Sequence, residues 1–138
     1  MTKYWLGVVS REHVHRGVDL GIAQANHGKR PPIARMKPGD GLVYYSPRTG
    51  IRDGETVKSF TAIGTIDDVE PWQVEERGFQ PWRRSVTYRK NAAETPIDNL
   101  RDRLELTSRP NWGVVLRRGL LELSAHDFQI VSEAMGGS

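Results

Sequence analysis

Apolar residues occur along the chain in short runs separated by turn-forming residues, which is typical of a strand-rich domain. Residues 4–10 are nearly all apolar and rich in β-formers, which predicts a central strand buried on both faces. Three further strands are predicted at residues 42–45, 59–69 and 83–90. Pro47 is expected to end the second strand because proline cannot donate a ladder hydrogen bond.

One helix is predicted directly after the first strand. Ser10 stands at the N-cap position, and Val14, Val18 and Ile22 recur every four residues as a buried stripe would. Gly21 weakens a helix by about 1 kcal/mol relative to alanine. The helix should therefore fray near Gly21 and lead into a polar loop.

The C-terminal half contains two capping-box patterns. Thr95 and Asp98 predict a short helix within residues 94–106, and Ser124 and Asp127 predict a final helix that ends at Gly136. Residues 111–124, between these helices, predict a strand with room for a tight hairpin around Arg118 and Gly119.

These elements amount to five or six short strands with a few short helices in 138 residues. That length suits a single domain with one core, residues 1–138. Strands separated by turns, without regular alternation with long helices, predict an α+β domain. The expected architecture is a small, partly closed β-barrel with short helices packed outside it.

Composition narrows the classes of protein. The chain is 37% apolar and 27% charged, which is typical of a soluble globular domain, and no apolar run is long enough to span a membrane. Its first residues do not match a secretion signal. The absence of cysteine excludes disulfides, thiol nucleophiles and cysteine-ligated metals. We expect a cytoplasmic protein without a membrane partner.

Charge is distributed unevenly, although the formal net charge is only +3. Residues 29–52 contain one acid, Asp40, and six basic residues, which are Lys29, Arg30, Arg35, Lys37, Arg48 and Arg52. A second basic cluster contains Arg83, Arg84, Arg89 and Lys90. This segregation is compatible with a positive face for a polyanion and equally with an ordinary solvated surface.

No motif supports catalysis. His13 and His15 are two residues apart on the predicted helix, so their side chains point to different faces and cannot share a metal ion. The chain lacks the spacing of a phosphate loop and of a serine nucleophile elbow. We therefore predict no catalytic residue, no metal and no cofactor. His27 is the candidate base if the protein is an enzyme.

Several residues suit the recognition of a base. Residues 24–36 combine amides, a histidine, a glycine and basic side chains with a double proline. Trp72 and Trp82 follow prolines in irregular segments, where a ring is harder to bury. Tyr44 and Tyr45 are adjacent in a strand, so their rings point to opposite faces. An outward ring beside arginines is a stacking platform for a nucleobase, although such rings can also merely cap a small barrel.

Five stretches in order resemble the EVE-domain family of the PUA-like superfamily, which is related to the YTH and ASCH domains. They are YWLGVVSREHV, GIAQANHGKRPPIARMKPGDGLVYYSP, FTAIGTI, GFQPWRRSVTY and NWGVVLRRGLLELSAHDFQIVSEAM, which run from Tyr4 to Met135. The resemblance is to the small stand-alone bacterial members. It implies a PUA-like barrel of five or six strands with flanking helices, in agreement with the pattern above.

The resemblance also implies a pocket between the first helical segment and the neighbouring strands, where relatives hold one flipped, modified base. The matching base-pocket positions are Gln24, Asn26, His27, Gly28, Lys29, Tyr45, Ser46 and Trp82, with Phe79 as a helper. The flanking phosphates would meet Lys29, Arg30, Arg83 and Arg84. YTH domains have a tryptophan in the corresponding loop, which this chain lacks, so its aromatic walls must come from Trp82, Tyr45 and Phe79.

The sequence thus favours a non-enzymatic, monomeric module that binds DNA or RNA and holds a modified base, such as a modified cytosine. Two alternatives remain open. One is a general PUA-type RNA-binding module that reads shape and backbone. The other is a small-molecule-binding protein or enzyme that uses His27 in the same pocket.

Overall fold

The computed structural model describes residues 1–50 and 54–137. Its strands are β1 (Tyr4–Val8), β2 (Ile22–Ala23), β3 (Gly41–Arg48), β4 (Thr56–Ile66), β5 (Trp72–Gln73), β6 (Trp82–Tyr88), β7 (Thr95–Pro96) and β8 (Leu120–Leu123). Its α-helices are α1 (Arg11–Leu20), α2 (Arg30–Ala34), α3 (Trp112–Val115) and α4 (Ala125–Met135). Single 3₁₀ turns are formed by Asn26–Gly28, Ile97–Asn99, Leu106–Ser108 and Leu116–Arg118.

The strands form one mixed sheet in the order β2-β6-β4-β3-β1-β8, with β5 paired to β6 and β7 paired to β4. The pairing of β1 with β3 is parallel, and the other pairings are antiparallel. The sheet curls into a half-barrel, which confirms the predicted α+β, PUA-like fold class. No helix in the described ranges is both long and apolar enough to cross a bilayer.

The central strands are buried on both faces, as the apolar run of β1 predicts. Leu6 and Val43 belong to a hydrophobic cluster that includes residues of α4. Trp5 and Leu42, their neighbours in β1 and β3, belong to a second cluster with Val14 of α1 and Ile33 of α2. Consecutive residues of a strand point to opposite faces, so two covered faces require an apolar residue at every position.

The first helix ends before the last residue of the predicted apolar stripe. Val14 is 2% exposed, but Val18 is 36% exposed and Ile22 already lies in β2. The helix ends because Gly21 adopts a left-handed conformation with φ of 67°, which is the usual C-terminal cap.

The double proline, by contrast, begins a helix. Pro31 and Pro32 lie in the first turn of α2, where a missing N–H costs nothing because these groups have no partner within the helix. Pro47 does not end the second predicted strand, because β3 continues through it to Arg48 with a shift of register at the proline. Arg52 of the predicted basic stretch lies outside the described residues.

Two predictions for the C-terminal half are wrong. Thr95 begins β7, which pairs with Phe60 of β4, and the Thr95 hydroxyl donates to a carbonyl oxygen instead of capping a helix. Residues 112–118 are helical, so the strand of this region is confined to β8 and no hairpin forms at Gly119. Strand pairing with β4 decided the first case over the local pattern.

The final helix begins as predicted. Ser124 Oγ accepts a hydrogen bond from the Asp127 backbone N–H at 3.1 Å, which is half of the expected capping box. The Asp127 carboxylate does not return to Ser124. It accepts the backbone N–H groups of Glu105 and Leu106, each at 2.8 Å, and so joins the preceding turn to α4.

Candidate functional site

A cavity of about 660 Å³ opens beside the sheet, between α1 and the segment that follows β2. Val8, Val14 and Ile22 form apolar parts of its wall, and the Tyr44 ring of β3 adds an aromatic surface. Phe79 contributes a second ring, which is 47% exposed. The cavity lies where the family resemblance predicts a pocket, between the first helical segment and the neighbouring strands.

The loop at the cavity is held in an unusual backbone conformation. Asn26, His27 and Gly28 have consecutive positive φ angles of 49°, 61° and 79°. The left-handed region is costly for residues with a Cβ atom, about 1–3 kcal/mol each, and such strain is concentrated at functional sites. The Gly28 N–H donates to the Ala25 carbonyl at 3.1 Å and closes the turn.

Gly28 is required here for a second reason, which is close packing. A Cβ atom at this position would lie 2.6 Å from Pro81 Cβ and 3.0 Å from Phe79 Cζ. The loop therefore rests directly on the segment that carries Phe79. On its other side the loop packs closely against Gly119, where a Cβ atom would lie 2.5 Å from Asn26 Oδ1. The loop is therefore held between the Phe79–Pro81 segment and Gly119.

A chain of polar side chains runs along one wall of the cavity. Arg83 Nε donates to Gln24 Oε1 at 2.6 Å, and Arg83 Nη2 donates to Glu76 Oε2 at 2.7 Å. Arg16 of α1 donates to the other Glu76 oxygen. Hydrogen bonds from Arg16 and then Arg83 lower the pKa of Glu76, so its carboxylate is charged at neutral pH.

Tyr44 anchors the loop from beneath. Its ring packs over Gly7 of β1, where a Cβ atom would lie 2.5 Å from Tyr44 Cε1. Its hydroxyl donates to the Gln24 carbonyl at 3.4 Å, and the Tyr88 hydroxyl donates to the Ile22 carbonyl at 2.7 Å. A buried tyrosine and a half-buried one thus fix the backbone from which Gln24 projects.

Burial raises the pKa of Tyr44 to about 12, from 10.0. Between these two values the unfolded chain binds fewer protons at Tyr44 than the folded chain, so stability falls as pH rises. We expect the free energy of unfolding, measured in urea, to decrease from about pH 10 to pH 12. In the Tyr44→Phe variant the free energy of unfolding should decrease less over this pH range than in the wild-type protein. The Tyr4→Phe variant, which changes a half-buried ring, should show the wild-type decrease. Equal slopes in both variants would contradict the assignment.

Six of the predicted site residues line the cavity together. They are Gln24, Asn26, His27, Gly28, Phe79 and Arg83. Lys29 is exposed just beyond them and is not part of the wall.

The prediction of Tyr45 and Ser46 as pocket residues is wrong. Tyr45 packs edge-on against Phe60 at 5.8 Å in the cluster on the opposite face, and Ser46 is fully buried in a hydrogen bond of 2.8 Å to Thr61. Because neighbours in a strand alternate, Tyr44 is the residue that faces the cavity.

Trp82 and Arg84 also depart from prediction. They lie on the face of β6 opposite Arg83 and away from the cavity wall. The Trp82 ring packs against the second hydrophobic cluster, and the Arg30 guanidinium lies 5.4 Å from its centroid. Arg30 therefore covers an indole where a phosphate contact was predicted.

Arg84 is 0% exposed and cannot reach a phosphate. It donates to the Asp68 carboxylate and backbone carbonyl at 2.6 and 2.5 Å, and to the carbonyls of Ile33 and Met36 at 2.8 and 2.5 Å. These bonds fasten β6 to the end of α2 and to the segment after β4.

Other cavity residues were not predicted from the sequence. They include His13, Arg16, Tyr44, Arg48, Glu76 and Arg117. They come from separate segments that only the fold brings together. A usable sequence signal was Gly119, which follows Arg117 and Arg118, since glycine is the usual residue where the backbone must approach another group closely.

One cluster of side chains among the described residues has potential metal-ligand atoms close to one another. Ligand atoms of Glu105, His126 and Asp127 lie within 4.8 Å of one another. Both Asp127 oxygens already accept backbone N–H groups of Glu105 and Leu106, so this carboxylate joins that turn to α4.

Known proteins resemble this chain over nearly its whole length. The family model of the EVE domain matches residues 3–134. A UPF0310 protein of Renibacterium salmoninarum is 50% identical over 135 residues, which cover 98% of this chain and 96% of the relative. A UPF0310 protein of Mesorhizobium japonicum is 48% identical over 140 residues, covering 99% and 93%.

Solved structures share the fold at low sequence identity. Protein Atu2648 from Agrobacterium tumefaciens superposes with a TM-score of 0.59 at 11% identity, covering 98% of this chain and 94% of its own. A hypothetical protein from Leishmania major has a TM-score of 0.59 at 10% identity, covering 95% and 92%. At this identity the likeness establishes the architecture.

Proposed function

The chain belongs to the EVE domain family, and from that premise we propose that it is a non-enzymatic, monomeric module that holds one flipped, modified base of DNA or RNA. The family suggests a nucleic-acid-binding module of PUA type and is generally a binding domain rather than a catalytic one. A modified cytosine is the favoured occupant.

The observation that carries the proposal is a cavity that combines aromatic surface, amide groups and cations. Its volume of about 660 Å³ is within the range of small-molecule sites, about 300–1,000 Å³. A flipped base needs an apolar surface for its faces and hydrogen-bonding groups for its edge. Tyr44 and Phe79 supply the rings, and Gln24 and Asn26 supply amides.

The hydrogen bond from Arg83 defines the orientation of the Gln24 side-chain amide. Its oxygen accepts from Arg83 Nε, so its NH₂ group is left to donate to a ligand. The acceptor edge of cytosine, formed by its ring nitrogen and carbonyl oxygen, matches that donor. This contact would orient a pyrimidine in the cavity.

Positive charge at the same cavity suits the phosphates on either side of the base. Arg16, Arg48, Arg83 and Arg117 belong to its lining, and Glu76 is the acid among the described lining residues. Phosphate contacts position a nucleic acid, whereas contacts inside the cavity would identify the base. Arg83 was already predicted for this role, and Arg16, Arg48 and Arg117 take the place of Arg30 and Arg84.

The proposal predicts that Phe79→Ala weakens binding of a short oligonucleotide with one 5-methylcytosine by about fivefold or more. The reason is that stacking of one base on an aromatic side chain contributes about 1–3 kcal/mol. Fluorescence anisotropy at fixed salt is the measurement, because phosphate contacts make affinity depend on salt.

Val114→Ala is the matched control, since Val114 is 56% exposed and lies outside the cavity lining. It should bind like the wild-type protein. Equal affinity of the wild-type protein for modified and plain oligonucleotides would instead support a general RNA-binding module. Stabilisation by a free nucleoside or small metabolite, without any effect of oligonucleotides, would support a small-molecule site around His27.

A further inference from the structure

A carboxylate lies between two guanidiniums in the cavity wall. Glu76 binds Arg16 through one oxygen and Arg83 through the other, the latter at 2.7 Å. Arg83 is 9% exposed, so its charge is largely removed from water and depends on this partner. The three side chains together carry one net positive charge.

Glu76 is held in place by a β-hairpin formed by β5, β6 and the segment between them. The Glu76 N–H donates to the Phe79 carbonyl at 2.7 Å, and the Phe79 N–H donates to the Glu76 carbonyl at 3.0 Å. Arg77 and Gly78 form the tip between them with φ of 53° and 80°, as a tight hairpin turn requires. The carboxylate and the Phe79 ring therefore belong to one rigid tip at the cavity.

The Glu76 carboxylate occupies the position where a ligand phosphate would meet the two arginines. A phosphate bound there must either replace the carboxylate or share the guanidiniums with it. A phosphodiester carries one negative charge and would neutralise the cluster. A terminal phosphate carries about 1.5 to 2 negative charges at pH 7, which would leave excess negative charge beside a carboxylate.

We propose that Glu76 is a specificity-determining residue that favours a nucleotide within a phosphodiester chain over a free mononucleotide. This inference rests on the proposed function, since it assumes that the base enters the same cavity. It assigns the protein to polymeric nucleic acid rather than to the pool of free nucleotides.

The test compares Glu76→Gln with Glu75→Gln. Both substitutions remove one negative charge from neighbouring positions, but Glu75 is exposed, lies outside the cavity lining and has no ion pair among the described residues. The ligands are 5-methylcytidine, its 5′-monophosphate and a dinucleoside monophosphate that contains 5-methylcytidine and has no terminal phosphate. Binding is measured by calorimetry at one salt concentration and pH 7.5.

We expect Glu76→Gln to bind the monophosphate about fivefold to tenfold more tightly than Glu75→Gln does, because a repulsive charge is lost at close range. Affinity for the neutral nucleoside should not differ between the variants. The preference for the dinucleoside monophosphate over the mononucleotide should shrink only in Glu76→Gln. Glu76→Asp, which keeps the charge, should retain the wild-type preference.

Equal monophosphate affinities for Glu76→Gln and Glu75→Gln would overturn the inference, as would an absence of monophosphate binding by both. An equal gain for the neutral nucleoside would also overturn it, because that result indicates a reshaped cavity rather than a change of charge. Thermal melting of each variant verifies that it folds. Failure of the proposed function is recognised separately, when wild-type protein does not distinguish modified from plain oligonucleotides.

Discussion

Replacing Arg84 by methionine should lower the free energy of unfolding by about 3 kcal/mol, because removing one partner of a buried ion pair leaves the other groups without compensation. The Arg84 side chain is fully buried and donates four hydrogen bonds to Asp68, Ile33 and Met36. Methionine fills similar space but donates none of them. Urea denaturation should show a lower midpoint, and the melting temperature should fall by about 10 °C.

Arg83→Met is the matched control because it changes the same side chain one position away. Arg83 has partly exposed partners in Gln24 and Glu76, which can turn to water when the guanidinium is lost. We expect this variant to lose about 1 kcal/mol of stability and most of its affinity for an oligonucleotide. If the two variants were equally stable, Arg84 would not have the structural role assigned to it.

Replacing Gly28 by alanine should both destabilise the protein and abolish tight binding. Alanine at φ of 79° costs about 1–2 kcal/mol, and its Cβ atom would lie 2.6 Å from Pro81 Cβ and 2.9 Å from Pro81 Cα. Overpacking of this kind costs about 1–3 kcal/mol more. The expected loss is about 3 kcal/mol in urea denaturation, together with at least tenfold weaker oligonucleotide binding because the loop must move away from Phe79.

Gly39→Ala separates these two contributions. Gly39 has a similar φ of 88°, but a Cβ atom there would have nothing within 4 Å. The Gly39 variant should lose only the conformational cost, about 1 kcal/mol, and should bind like the wild-type protein. A loss of the same size in both variants would show that packing against Pro81 contributes little.

The boundaries of the fold and the position of the polar loop follow from sequence pattern. The continuous apolar run of β1 specifies a strand covered on both sides, and Ser124 before Asp127 specifies the start of α4. Loop residues from Gln24 to Gly28 are recognisable because several hydrogen-bonding groups precede a double proline. Each of these signals is local, so no distant contact is needed to interpret it.

In segments with a weaker local pattern, the secondary structure was not determined by that pattern. Thr95 pairs with Phe60 of β4 instead of capping a helix, because the edge of β4 offers hydrogen-bonding partners for the backbone of this segment. Residues 112–118 became helical although their apolar run resembles a strand. Short apolar runs carry no period that distinguishes the two structures.

The sequence by itself determined which neighbouring side chains must point to opposite faces of a strand, and the tertiary structure decided which of them line the cavity. Tyr44 rather than Tyr45, and Arg83 rather than Arg84, line it because of where α1 and the loop after β2 pack against the strands. Both faces of this sheet are covered, so burial and composition look alike on the two sides. Only the packing of segments distant in the chain distinguishes an arginine that contacts a ligand from one that holds the fold.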